Sequence, residues 1–207
     1  MEFPSFLTPE IFRIGPFALR WYAMMYVLGY IIGFQLFKKR IKMGVLTLSE
    51  AAGENFVSYF IFGMLIGARL FYVVFYNLDY YLEHPIESFY VWQGGLSFHG
   101  AAAGMVVACA LLARKYKIPF YMATDTLAMT CGIGLFLGRI GNFINAELYG
   151  RPTDSAFGMI FPTDPDKLPR HPSQLYQGLT EGLLLTVFLW WLQGYLLKKN
   201  KFRHGIT

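Results

Sequence analysis

The sequence predicts an all-α protein, a polytopic membrane helix bundle of about five transmembrane helices, and three observations predict it. Of its 207 residues only 15% are charged while 55% are hydrophobic, against about 25% charged in soluble domains. Charge is absent from long runs rather than thinned evenly, and basic residues gather at the ends of those runs. Paired glycines four apart recur in the first four runs.

A helix crosses a bilayer with about 20 predominantly apolar residues. The first run, residues 17–37, ends in Lys38, Lys39, Arg40 and Lys42; the second is 56–76. The third, 97–113, ends in Arg114, Lys115 and Lys117, and the fourth is 121–140. The fifth, 175–197, ends in Lys198, Lys199, Lys201 and Arg203. Clustered Lys and Arg mark the cytoplasmic side, so the N-terminus is expected outside and the C-terminus in the cytoplasm. The alternate loops, 77–96 and 142–174, hold Asp79, Glu83, Glu87, Asp154, Asp164 and Asp166 and are expected to face outward. Gly29/Gly33, Gly63/Gly67, Gly100/Gly104 and Gly134/Gly138 predict close helix crossings. Aromatic pairs at run ends, Trp21-Tyr22, Tyr80-Tyr81, Tyr90 with Trp92, and Trp190-Trp191, predict interfacial belts. The whole chain, 1–207, reads as one integral membrane domain.

The net charge of +5 does not point to nucleic acid, because the basic residues follow the run ends instead of forming a polar face. Cys109 and Cys131 lie inside apolar runs, where a thiol packs as a small apolar group. No CxxC or Cys/His spacing suggests a metal. GxSxG, HExxH and Walker patterns are absent, which leaves serine-hydrolase, zinc-protease and nucleotide-driven readings without an anchor.

Three clusters carry possible chemistry. GRIGNFINAELYGR, residues 138–151, places Arg139, Asn142, Asn145, Glu147 and Arg151 where hydrocarbon should give way to water. Such groups are costly in a membrane and are kept where they face a cavity or a partner. Arg139 and Asn142 are three apart and share a helical face, and Glu147 and Arg151 would pair if the helix continued. An arginine fork suits a lipid phosphate, but a salt-bridge network joining helices fits equally. Gln93-Gly94-Gly95-Leu96-Ser97-Phe98-His99-Gly100 sets a histidine beside glycines at the outer mouth of the third run. His99 is either a hydrogen-bonded structural residue or a proton acceptor near neutral pH. LPRHPSQLY, with His171 and Tyr176, is a stiff entry to the fifth run or a plain helix-start turn. Inside the runs Arg69, Asp125 and Glu181 remain, and pairing of Arg69 with Asp125 is one arrangement left open.

Trp21-Tyr22, GGLSFHG, GRIGNFIN with ELYGR, and LPRHPSQLY occur in the order and spacing of the bacterial prolipoprotein diacylglyceryl transferases. The chain resembles that family from about Phe12 to His204. The resemblance implies transfer of diacylglycerol from phosphatidylglycerol to the thiol of a lipobox cysteine in a prolipoprotein signal peptide. This is the first step of lipoprotein maturation, at the bacterial cytoplasmic (inner) membrane, without metal or other cofactor. It also implies roles for residues. His99 would be the base that makes the thiolate, and Arg139 would hold the phosphate of the leaving group. Asn142, Asn145, Glu147, Gly150 and Arg151 would complete the lipid site. Tyr22 would contact the headgroup or orient His99, with His171 and Tyr176 supporting from behind.

Two positions depart from the family pattern: Ala101 and Ala146 stand where glycine is usual. The family also continues with further spans, one bearing another arginine, so the resemblance implies a member short at its C-terminus. The alternative reading is an inactive lipid-binding or scaffold protein of that ancestry. A transporter would need a polar path through both leaflets, whereas the ionisable cluster lies mainly on the outer side.

Overall fold

The computed structural model describes residues 1–15, 17–91 and 94–205. Trp92 of the expected aromatic belt, Gln93 before the glycine pair and the chain end at Ile206 and Thr207 lie outside the described residues. The protein is mostly helical, as expected. Strands β1 (Glu10–Ile14) and β2 (Phe17–Arg20) form a short antiparallel hairpin leading into α1 (Trp21–Lys42). Then come α2 (Glu50–Tyr76), α3 (Leu78–Glu83), a 3₁₀ turn at Pro85–Phe89, α4 (Phe98–Tyr116) and α5 (Phe120–Ile144). A second small antiparallel pair, β3 (Met159–Ile160) and β4 (Pro169–Arg170), precedes α6 (Ser173–Gln177), a π-helical segment (Gly178–Leu184) and α7 (Leu185–Lys198).

Among the described residues three helices are long and apolar enough to cross a membrane: Ala52–Tyr76, Phe98–Tyr116 and Phe120–Ile144. They are the second, third and fourth expected runs. The first run is helical only from Trp21, as α1, because Phe17–Arg20 pairs as strand β2, and the last turn of α1 carries Lys39, Arg40 and Lys42. The fifth is helical as well, yet its ladder widens between α6 and α7, leaving an α-helix of 14 residues. Hydroxyls of Thr180 and Thr186 donate to the carbonyls of Tyr176 and Gly182, four residues back, around that widening. Such back-bonding competes with the regular helical ladder.

By internal contacts the chain falls into two compact units, Met1–Leu36 with Ala128–Phe202, and Phe37–Leu127 with residues 203–205. In the second unit α2 crosses α4 through the predicted glycines. A Cβ on Gly67 would lie 2.8 Å from Gly104 Cα, and one on Gly63 would lie 2.7 Å from the Gly104 carbonyl. Below that crossing Phe37, Leu46, Phe56, Cys109 and Leu112 form the buried core. Arg69 and Asp125 do not form the pair left open above. Arg69 donates to carbonyls of the loop before α4, while Asp125 accepts from the Gly205 amide at 2.8 Å, with His204 Nδ1 at 3.4 Å.

In the first unit Gly29 of α1 meets Gly134 of α5, where a Cβ would sit 3.3 Å from the Gly134 Cα. A Cβ would meet nothing within 4 Å at either Gly134 or Gly138, so the fourth glycine pair serves this crossing only through the Gly134 Cα. The loop after α5 has its own core. Phe161 is fully buried among Phe3, Phe143 and Tyr149, and the N-terminal segment adds backbone bonds from Phe3 N to Ile160 O and from Ile160 N to Met1 O.

Candidate active site

In the first unit the polar signature is built where α5 stops. The helix ends at Ile144 because Ala146 and Leu148 adopt left-handed backbone angles, φ 53° and 57°. The Ala146 amide returns to Phe143 O and the Glu147 amide to Asn142 O, which closes the last turn. This reversal folds Glu147 back over the helix end. Its Oε1 accepts from Asn142 Nδ2 at 2.8 Å and from Asn145 Nδ2 at 3.2 Å. The expected Glu147–Arg151 pair is therefore not formed: it needed a continuing helix, and Arg151 is instead exposed on the loop. Ala146 occupies the left-handed position, which accounts for glycine being usual there. Ala101 lies inside α4, where no such backbone requirement applies.

Arg139, one turn before Asn142, is half-buried and has no hydrogen bond or ion pair among the described residues; its Nε is fully buried. Among the described residues no carboxylate pairs with this guanidinium; the Glu147 carboxylate instead accepts from the two asparagine amides. Tyr22 lies against the same helix, its ring 2.7 Å from where a Gly141 Cβ would stand, and its hydroxyl bonds that of Tyr26 at 2.9 Å.

The two motifs 138–151 and 168–176 are halves of one substructure. Gly150 N donates to His171 O at 2.8 Å, and His171 N donates to Arg151 O at 3.2 Å. Ser173 Oγ donates to Leu148 O at 3.1 Å, and Gln174 Nε2 to Glu147 O at 2.6 Å. His171 also meets the half-exposed Tyr176 ring edge-on, 5.9 Å between centroids, while its Nδ1 is buried without a partner. Gly178 backs onto Arg139, with 3.2 Å from a Cβ there to the Arg139 Cβ.

Three features were missed in the sequence. Gln174, inside LPRHPSQLY, carries no sequence signal of its bond to the Glu147 carbonyl. Arg20, one residue before Trp21-Tyr22, joins Thr8, Pro9, Glu10, Asn145 and Glu147 around an open polar cavity of about 470 Å³. Arg170 forks onto Asp164 at 2.6 and 2.9 Å, reaches Asp166 at 2.7 Å, and stacks over Tyr149. The Arg170 guanidinium holds the Asp164 carboxyl below the usual carboxylate range. The DPDKLPR spacing was the available signal for this clamp.

His99 belongs to the second unit. It is the second residue of α4, exposed, and free of hydrogen bonds among the described residues; its ring meets Phe98 edge-on. Ser97 caps the helix, its hydroxyl accepting from Gly100 N at 3.4 Å.

A sequence model of the prolipoprotein diacylglyceryl transferases matches residues 9–207. The chain is 44% identical over 192 residues to the phosphatidylglycerol–prolipoprotein diacylglyceryl transferase of Bordetella parapertussis, covering 92% of this chain and 73% of that protein. It is 47% identical to the enzyme of that name from Rickettsia canadensis, over 91% of this chain and 72% of the relative. With the Rickettsia akari enzyme it shares 45% identity over 97% of this chain and 75% of the relative.

Proposed function

This chain belongs to the prolipoprotein diacylglyceryl transferase family, and we propose on that premise a division of labour among its residues. The protein is a membrane transferase acting on phosphatidylglycerol and prolipoproteins, in the first step of lipoprotein lipidation. In the proposed reaction the sulfur of a lipobox cysteine attacks the diacylglycerol carbon bonded to phosphate oxygen. A C–S bond forms, the C–O bond breaks, and glycerol phosphate leaves with the electron pair. His99 takes the thiol proton, since the thiolate is the competent nucleophile. Arg139 neutralises charge on the departing phosphate, where fixed donors lower the barrier most. Asn142 and Asn145, held by Glu147, shape the headgroup pocket together with Gly150, Arg151 and Tyr22, and His171 and Tyr176 brace it. The protein sits in the bacterial inner membrane with about five spans, its N-terminus outside and its C-terminus in the cytoplasm.

The observation that carries this reading is Arg139: a guanidinium in a helix long and apolar enough to span a membrane, with a buried, unpartnered Nε and no pairing carboxylate among the described residues. A helix-joining salt bridge would have used that charge, whereas an anionic ligand requires it free. The test is complementation of a transferase-depleted bacterium, with transfer measured on isolated membranes. Wild type should restore growth, and Arg139→Gln and His99→Gln should each lower transfer by about 100-fold or more. Absence of rescue by a normally inserted wild-type chain would refute the activity. Full activity of either variant would refute the role given to that residue.

A further inference from the structure

The structure assigns Arg69 a part in the reaction: it is a positioning residue that fixes the loop from which α4 presents His99. The inference rests on the reading of His99 as the base.

Arg69 lies in α2 and is 7% exposed. An arginine inside a membrane span is costly and is normally paired. Here it is satisfied by backbone alone. Nε donates to Ser88 O at 2.7 Å, Nη2 to Glu87 O at 2.6 Å, and Nη1 to Gly94 O at 2.7 Å and Gly95 O at 3.1 Å. Its Cζ stands 5.1 Å from the Tyr81 ring centroid. One planar fork thus ties both ends of the loop between the 3₁₀ turn and α4. The glycine pair is what admits it. Gly94 and Gly95 have φ of +89° and +75°, and a Cβ on Gly95 would lie 2.8 Å from Arg69 Nη1. Next along, Ser97 N donates to the Ala68 carbonyl at 3.0 Å, and the Ser97 hydroxyl caps α4.

His99 follows two residues later. Its imidazole makes no hydrogen bond among the described residues, so its direction is set by its backbone and by the edge-on contact with its neighbour Phe98. That backbone is the first turn of α4, whose entry the Arg69 fork holds. Lysine cannot replace the fork, because an ammonium is a point charge with donors diverging from one atom.

The test uses the full chain in detergent, phosphatidylglycerol micelles and a lipobox peptide carrying either cysteine or selenocysteine. A selenol is already ionised at neutral pH and needs no base. Arg69→Lys should lower kcat with the cysteine peptide about tenfold or more, as misplacing a reacting group by about an ångström does, with the phosphatidylglycerol KM unchanged. The defect should largely vanish with the selenocysteine peptide, as should that of His99→Gln. Gly94→Ala strains the same loop at a φ of +89°, with open space for the Cβ, and should behave likewise; it carries the test if Arg69→Lys does not accumulate. Equal defects with both peptides make Arg69 merely structural and overturn the inference, as does a wild-type kcat in the variants alongside an inactive His99→Gln. An active His99→Gln with the cysteine peptide instead overturns the base reading, and this inference with it.

Discussion

Gln174, fully buried at the start of the last helical run, donates its side-chain amide to the backbone carbonyl of Glu147 at 2.6 Å. Glu147 in turn collects the amides of Asn142 and Asn145 on one carboxylate oxygen. The left-handed turn after α5 and the entry to α6 thereby form one rigid bracket around the residues proposed to meet the lipid headgroup.

Replacing Gln174 by Leu leaves the part-buried Glu147 carbonyl without this donor, at a cost of about 1–2 kcal/mol. The Gln174 Oε1 is itself buried and unpartnered, so its removal offsets part of that cost. The net loss should be about 1 kcal/mol, read as a lower melting temperature in detergent. Kinetically the KM for phosphatidylglycerol should rise while kcat stays nearly constant. A fall in kcat at constant KM would show that the bracket serves the chemical step and not the headgroup.

Ala146 sits at φ 53°, a conformation that costs a Cβ-bearing residue about 1–2 kcal/mol. Ala146→Gly removes that strain but frees the unfolded chain and deletes a buried methyl beside Phe161. The strain relief is the larger effect, so the variant should be more stable by up to about 1 kcal/mol. Thermal unfolding of the two proteins side by side decides it, and a less stable glycine variant would mean that the methyl contact outweighs the strain.

The same position marks where the sequence stops being legible. Long apolar runs announce α2, α4 and α5 because a bilayer demands an uninterrupted hydrophobic length. HPSQLY by itself reads as a plain helix-start turn, and only the family resemblance sets it beside ELYGR, to which its backbone is in fact bonded. The end of α5 was hidden because alanine, not glycine, takes the left-handed turn, so Glu147 and Arg151 looked like a helical pair. The partners of Arg69 were equally hidden: it binds backbone carbonyls, which no residue type advertises. The hairpin of β1 and β2 and the widened turn at Gly178–Leu184 arise from local bonding that hydrophobic periodicity does not record.

The clamp between Arg170 and Asp164 makes the loop between α5 and α6 sensitive to acid. Because the folded-state pKa of Asp164 is depressed, its stabilisation is fully present above the ordinary aspartate value, about 3.9, and is lost as pH falls through the lower folded value. Hydrogen exchange over residues 159–170 should therefore be slow at neutral pH and quicken only below about pH 4. Asp164→Asn should exchange fast throughout and show no acid step. A step retained in that variant would assign the acid sensitivity to another carboxylate.

Two glycines of the same spacing pattern should respond oppositely to alanine. At Gly67 the added methyl would meet the backbone of Gly100 and Gly104 on α4, which cannot swing away as a side chain can. The helices must part, a strain of about 1–3 kcal/mol, with loss of contacts along the α2–α4 crossing. At Gly138 the methyl meets nothing within 4 Å. There alanine gains about 1 kcal/mol of helix propensity at most, so Gly138→Ala should unfold at or above the wild-type temperature. Gly67→Ala should unfold several degrees lower. Equal stability of the two variants would mean that the α2–α4 contact is not what holds this unit together.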